Sequence, residues 1–169
     1  ATVRPGLLRA ARLEPGRPVV VEALPVRPVP ARVRVVGHQA LTDSTAEQLD
    51  AAALVIGVGK GIGGPAALPA IAACAARLGA ALAATREVTD AGWLPRQHQV
   101  GLTGRSIAPR LYVALAMSGA MEHMVGLRRA GLIVAINKNP KAPIFKAADI
   151  GLVADYAAML PHLEAALRR

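Results

Sequence analysis

The stretch LYVALAMSGAMEH, residues 111–123, passes from an apolar run into Ser118, Gly119 and Ala120 and then into two ionisable side chains, Glu122 and His123. Four other apolar runs end in the same manner. ALVIG is followed by VGKGIGG with Lys60, AALAA by Thr85 and Arg86, LIVAI by Asn137 and Lys138, and GLVA by Asp155. Glycine, hydroxyl, guanidinium, amide and carboxylate groups at five run ends suit a nucleotide: donors and acceptors for a ribose, backbone N–H groups and cations for phosphate. Ser118-Gly119-Ala120 carries nothing bulky, so an anionic group can approach the amides that open the next helix. Ser118 equally suits a helix cap, and His123 a packed core histidine.

Several chemistries are disfavoured by spacing. Gly59-x-Gly61-x-x-Gly64 has the form of a dinucleotide fingerprint, but no acidic residue occurs between Lys60 and Glu87 to hold ribose hydroxyls, so a conventional NAD site is not expected. Lys60 is followed by Gly61 and not by the Ser or Thr of a P-loop. No HExxH, CxxC or GxSxG occurs, so neither a metal nor a catalytic nucleophile is expected. The lone Cys74 lies among alanines, where a small buried side chain suits a helix face. A net charge of +9 raises nucleic-acid binding. Yet residues 1–34 hold seven arginines against Glu14 and Glu22, and only Trp93, Tyr112, Phe145 and Tyr156 are aromatic, too few for base stacking, so no specific nucleic-acid partner is expected.

The elements that must hold these groups read as follows. Six of thirteen prolines fall in residues 1–30, predicting a Pro/Arg-rich linker or edge arm with at most one short strand around Pro18–Leu24. With Ala1 at its start, such a leader suggests a segment lying between domains. Residues 31–169 form the α/β domain. RVRVVGH predicts a strand, DSTAEQLDAAA a helix capped by Asp43 or Ser44, ALVIGV a strand, PAALPAIAACAARLG a helix stopped by Gly79, and AALAAT a strand. Residues 86–109 have no clean period, which for a connection of that length points to a functional or disordered loop. Strand RLYVALAM, helix GAMEHMVGLRRAG, strand LIVAIN, a turn through KNPKAPIF, strand DIGLVAD and a closing helix from Tyr156 complete the chain. Alternating strands and helices, with strands apolar on both faces, predict a three-layer α/β/α fold around a mainly parallel, Rossmann-like sheet. No apolar run is long enough for a membrane helix.

DAGWLPRQHQVGLTGRSIAPRLYVALAMSGAMEHMVGL, followed by IVAINKNPKAPIFKAADIGLVAD, resembles the C-terminal, FAD-binding domain of the electron transfer flavoprotein alpha subunit, and TVRPG resembles the segment that leads into it. The resemblance implies a heterodimeric carrier, not an enzyme, that takes electrons from flavoprotein dehydrogenases such as those of acyl-CoA. It would pass them to a quinone reductase or similar acceptor, with FAD lying between this domain and a beta subunit. The setting implied is the cytoplasm of a bacterium or the mitochondrial matrix of a eukaryote. Carried over by position, Arg86 would place positive charge beside the isoalloxazine, and Thr85 would support the same ring. Thr103 would bond near its N5 and O4 edge, and His123 would approach O2. Gln99, Val100, Gly101 and Gly104 would shape the surrounding loop, with Arg105 as its basic residue. Ser118, Gly119 and Ala120 would meet the pyrophosphate, and Asn137 and Asp155 the adenosine. Three positions depart from the family: Lys60 stands where arginine is usual, Leu102 where glutamine is common, and Glu122 where glutamine is usual beside the phosphates. Those departures leave room for a nucleotide-binding regulatory or interaction module without FAD, and an NAD-linked domain is the other alternative.

Overall fold

The computed structural model describes residues 16, 18, 20–25, 33–37, 44–127 and 129–167, with side chains of the first helix described from Gln48 onward. Contacts divide the chain into Ala1–Thr42 and Asp43–Arg169. In the first unit no described residue lies in a helix or strand. This corrects the strand expected over 32–38, since residues 33–37 have no ladder; around Pro18–Leu24, where at most one short strand is expected, the described residues carry none. Val33, Val35 and Val36 are exposed. Valine favours strands because it packs on a pleated, half-buried surface, and without a partner that preference has nothing to act on.

The second unit follows the expected alternation. Its elements are α1 (Ser44–Ala51), β1 (Leu54–Val58), α2 (Leu68–Arg77), β2 (Ala81–Ala84), α3 (Arg86–Asp90), β3 (Leu111–Leu115), α4 (Met121–Met124), β4 (Leu132–Asn137), β5 (Ile150–Val153) and α5 (Tyr156–Leu167). Of the two caps expected for α1, Asp43 lies outside the described residues. The sheet order is β2-β1-β3-β4-β5, and every pairing is parallel. A parallel bridge from Ala84 to Gln99, with Val100 N donating to Ala84 O at 3.1 Å, adds a rudimentary strand beyond β2. Counting it gives the doubly wound order 3-2-1-4-5-6, in which ligands lie beyond the carboxyl ends where the strand order reverses, here between β1 and β3.

Period-2 side chains build a core on each face of the sheet. Val55, Tyr112, Ala114, Ile133 and Ala135 pack with Leu49 of α1 and with Leu127 and Ile144. Ile56, Val58, Val113, Leu115 and Ile136 pack on the opposite face with Ile71 and Cys74 of α2 and Leu160 of α5. Burying each of the larger aliphatics contributes roughly 1.5–3 kcal/mol. Arg77 of α2 and Glu164 of α5 form an ion pair over that second layer. Gly57 is the one gap in β1: a Cβ there would collide with the Tyr112 hydroxyl, so the glycine makes room for a fully buried phenol on the neighbouring strand.

Two connections differ from expectation. The helix expected over 119–131 contracts to the four residues of α4 and a 3-10 turn at Val125–Leu127. Gly126 lies against the backbone of Gly101, and its carbonyl accepts from Ile107 N at 2.9 Å, so this segment is packed against the preceding loop. The irregular stretch 86–109 is ordered. It contains α3, a 3-10 turn at Arg96–His98, and a tight loop closed by a parallel bridge between Val100 and Arg105, in which Arg105 N donates to Gln99 O at 2.8 Å and Gly101 N to Arg105 O at 3.0 Å.

Candidate functional site

A cavity of about 410 Å³ opens beyond the carboxyl ends of β2 and β3. Its walls are Thr85 before α3 with Arg86, Glu87 and Asp90 within it, Gln99 to Thr103 from the loop, Ser118 and Ala120 from the turn after β3, and Glu122 and His123 from α4. A second hollow of about 260 Å³ shares Glu87 and Ser118 with it and adds Lys60, Gly61, Ala116 and Asn137. A third, of about 70 Å³, shares Gly61, Ala116 and Asn137 and adds Lys138, Asp155 and Tyr156. The shared walls make one elongated cleft along the sheet edge. Charge of both signs lines it throughout: Glu87, Asp90 and Glu122 surround the large chamber with Arg86, and Lys60 and Lys138 line the narrower end with Glu87 and Asp155.

Loop 99–105 is held by side chains as well as backbone. Gln99 is buried; its Oε1 accepts from Thr89 Oγ1 at 2.8 Å and its Nε2 donates to Thr103 Oγ1 at 2.8 Å. Leu102 N donates to Glu122 O at 2.6 Å, tying the loop to α4. Gly101 adopts φ +132°, and a Cβ there would strike the Glu122 carbonyl. Only glycine combines that backbone with that approach. Gly104 packs on the Gln99 carbonyl and lies outside the cavity wall, and Gly119 packs on the backbone of Ile144 beneath Ser118 and Ala120. Sequence reasoning missed Asp90, although its i, i+4 spacing from Arg86 is the signal for the pair observed, Arg86 Nε to Asp90 Oδ2 at 3.0 Å.

His123 is buried. Its Nδ1 lies 3.0 Å from Val100 O and its Nε2 2.8 Å from the Tyr112 hydroxyl. A carbonyl only accepts, so Nδ1 carries the proton, Nε2 is the acceptor, and Tyr112 donates. Desolvation pulls the imidazole down to about 4, opposed in part by its bond to Val100, so the ring is neutral at pH 7. The same burial pushes the Tyr112 phenol up. Both His123 nitrogens are therefore engaged, and a hydrogen bond from either to a ligand requires one of these bonds to give way.

Other expected residues have partners of their own. Arg105 NH1 donates to Asp50 Oδ2 of α1 at 2.6 Å and does not reach the cavity wall. Asn137 donates to Met117 O at 2.9 Å and accepts from Asn139 N at 2.9 Å. Asp155 Oδ1 accepts from Ala157 N at 2.8 Å in the first turn of α5. In the glycine cluster, Gly59 N donates to Leu115 O and Gly61 N to Ala116 O, so these glycines admit the chain leaving β3. One 3-10 turn, Lys60–Ile62, lies within the cluster and a second, Pro65–Ala67, separates it from α2, unlike the direct turn-to-helix entry of an NAD fingerprint.

Thr85 supplies the test of fit for a bound group. Its Oγ1 is the one buried side-chain N or O atom without a hydrogen-bond partner among the described residues, and Thr85 lines the large chamber. An unpaired buried hydroxyl costs on the order of 1–3 kcal/mol, which a ligand's polar edge would recover. The chamber also offers the Thr103 hydroxyl, buried Gln99 and the Arg86 cation beside apolar Val100 and Leu102. A flat heteroaromatic ring with a polar rim fits that set, and a phosphate chain fits the cleft toward Lys60 and Ser118. Among the described residues, no group of three or more His, Cys, Asp or Glu could hold a metal ion, and no helix is long and apolar enough to cross a membrane.

Comparison with known proteins gives the same assignment. Residues 48–128 match the family model described as the electron transfer flavoprotein FAD-binding domain. The electron transfer flavoprotein subunit alpha of Thermoanaerobacterium thermosaccharolyticum is 38% identical over 96% of this chain and 50% of its own length. That of Pseudomonas aeruginosa is 44% identical over 75% of this chain and 41% of its own. A probable electron transfer flavoprotein subunit alpha of Caenorhabditis elegans, named as mitochondrial, is 44% identical over 76% and 39%. The chain thus spans about half the length, or less, of these curated relatives. Through a matched domain and relatives along most of its length, the chain is a member of the electron transfer flavoprotein alpha family.

Proposed function

We propose that this chain is the FAD-holding part of an electron-carrying flavoprotein, with its isoalloxazine chamber between Thr85–Arg86 and the 99–103 loop. The observation that carries the reading is the buried, unpartnered hydroxyl of Thr85, a residue that lines a chamber of ring-sized volume. Bound FAD would supply reversible uptake of one or two electrons. The protein's contribution is to bind, orient and tune. Thr85 and Thr103 hold the polar rim, Gln99 braces Thr103, and Arg86 biases the ring toward accepting negative charge. Ser118, Gly119 and Ala120 with Lys60 receive the pyrophosphate, and the hollow at Asn137 and Asp155 receives the adenosine end. Glu122 faces the chamber as an exposed carboxylate, and Lys60 offsets its repulsion of the phosphates. Gly104 supports the loop from behind. Arg105 acts at one remove, pinning the loop to α1 through Asp50.

In this reading the domain performs no substrate chemistry of its own. A beta subunit closes the flavin from the other side, flavoprotein dehydrogenases donate electrons, and a quinone reductase or similar protein accepts them. The segment before residue 31 is an arm or linker to a further domain, and the setting is the bacterial cytoplasm or the mitochondrial matrix.

The test is a visible absorption spectrum of the purified chain before and after incubation with FAD and gel filtration, repeated with a co-expressed beta subunit. Retained flavin bands with a protein-perturbed shape are expected. A chain that stays colourless in the complex, or that binds NAD in preference to FAD, overturns the proposal.

A further inference from the structure

We propose that Tyr112 is a positioning residue: acting through His123, it sets the place of the Val100–Thr103 wall of the chamber. Tyr112 lies in β3, fully buried, in the space that Gly57 leaves open on the neighbouring strand. Its ring therefore cannot shift without disturbing the sheet. The hydroxyl meets His123 Nε2 at 2.8 Å, and the opposite nitrogen of the same ring meets Val100 O at 3.0 Å. Because Val100 O can only accept, the chain of donation runs one way, from Tyr112 O–H to Nε2 and from Nδ1–H to the loop carbonyl. One tautomer alone satisfies all three groups. A rigid strand thus dictates, through one imidazole, where the loop backbone lies.

That carbonyl sits at a sensitive point. Val100 N is bound to Ala84 O at the end of β2, and Leu102 N is bound to Glu122 O on α4. Between them Gly101 passes against the backbone of Glu122 and His123 with no room to spare. The loop is therefore fixed at three places: the sheet edge, the His123 ring and α4. Without the Tyr112 hydroxyl, Nε2 loses its donor and the ring keeps one anchor instead of two, although the Val100 carbonyl still selects the Nδ1–H tautomer. A ring held at one nitrogen alone can turn, which carries Nδ1–H away from the loop carbonyl and weakens the middle attachment.

The wall-setting role stands on this geometry alone; its consequence for FAD rests on the function proposed above. The experiment uses the full chain without ligand first. A long-range proton–nitrogen correlation spectrum should show His123 as the Nδ1–H tautomer in the natural chain, with the unprotonated Nε2 resonance shifted in Tyr112→Phe by the loss of its hydrogen bond. Hydrogen exchange at the Leu102 amide should accelerate roughly tenfold in the variant, the equivalent of one neutral hydrogen bond, while the β3 amides of Val113 and Leu115 stay protected. FAD titration of the same two proteins with the beta subunit should then show weaker binding by a similar factor. That loss should vanish when Tyr112→Phe is made in a His123→Ala background.

An Nε2–H or protonated His123 in the natural chain overturns the inference, as does a variant with unchanged Nε2 resonance and Leu102 exchange. Loss of protection in β3 as well would make Tyr112 an ordinary core residue and overturn it too. Because tautomer and exchange are read without FAD, a chain that binds no FAD sinks the functional proposal and leaves this test intact.

Discussion

At the scale of single residues, the site holds two groups whose present state opposes what they would do with a ligand. Thr85 buries a hydroxyl with no partner, a cost to the ligand-free fold. Thr85→Val keeps the shape and removes the hydroxyl, so the ligand-free variant should unfold at a higher denaturant midpoint, by about 1 kcal/mol, and bind FAD more weakly. Both effects moving in the same direction would mean that the hydroxyl is not reserved for a ligand. Arg86 has the reverse situation: its charge is shared with Asp90, and both side chains are more than half exposed. Arg86→Ala should lower the flavin's reduction potential by an amount on the order of 1 kcal/mol, the exposure keeping it at the low end for a charged contact. Asp90→Asn should raise the potential by releasing the guanidinium. Potentiometric titration of the two loaded variants checks the opposite signs; an unchanged potential in a folded Arg86→Ala variant removes that residue from the mechanism.

At the scale of elements, the decisive piece is the connection from β2 to β3. Gly101→Ala should cost well over 1 kcal/mol in stability, because φ +132° and the Glu122 carbonyl both oppose a side chain there, and should abolish FAD binding. Gly79→Ala, at φ +62° with open space around it, should cost only about 1–2 kcal/mol and leave FAD binding unchanged. Urea unfolding and FAD titration of both variants separate loop shape from mere backbone strain. The same connection marks the limit of what the sequence alone conveys. β1 through β5 were readable because buried parallel strands are continuous apolar runs, and the groups behind them were readable because strand ends in such a sheet face one edge. The 86–109 loop had no period to read, since its order comes from Gln99 bridging Thr89 and Thr103 and from bonds to α4, contacts between segments distant in sequence. Resemblance gives Arg105 as the basic residue of the loop, whereas its pairing with Asp50 of α1 joins positions 55 residues apart and could not be read from the sequence. Tyr112 escaped notice because an aromatic in a strand normally signals packing only; the clue was Gly57 on β1, two residues beyond Val55, the register partner of Tyr112, and so on the same face.

At the scale of the whole molecule, the neutral histidine couples the site to global stability. His123 titrates at about 4 in the fold against 6.5 when exposed, the shift being due first to burial. The folded state therefore binds fewer protons than the unfolded chain between these values. The resulting stability is fully present above about pH 6.5 and is lost as pH falls through about 4, a difference on the order of 3 kcal/mol for the full shift. Carboxylate protonation acts in the same acid range, so the useful quantity is a difference between two proteins. His123→Gln keeps a polar group at the position and removes the titration. Urea midpoints at pH 7.5 and pH 4.5 should fall further for the natural chain than for the variant, even where the variant is the less stable of the two at neutral pH. An equal fall in both would mean that His123 gains its proton as readily inside the fold as outside. The buried Tyr112–His123–Val100 chain would then not be the arrangement in solution, and the loop would have to be held by its sheet and α4 contacts alone.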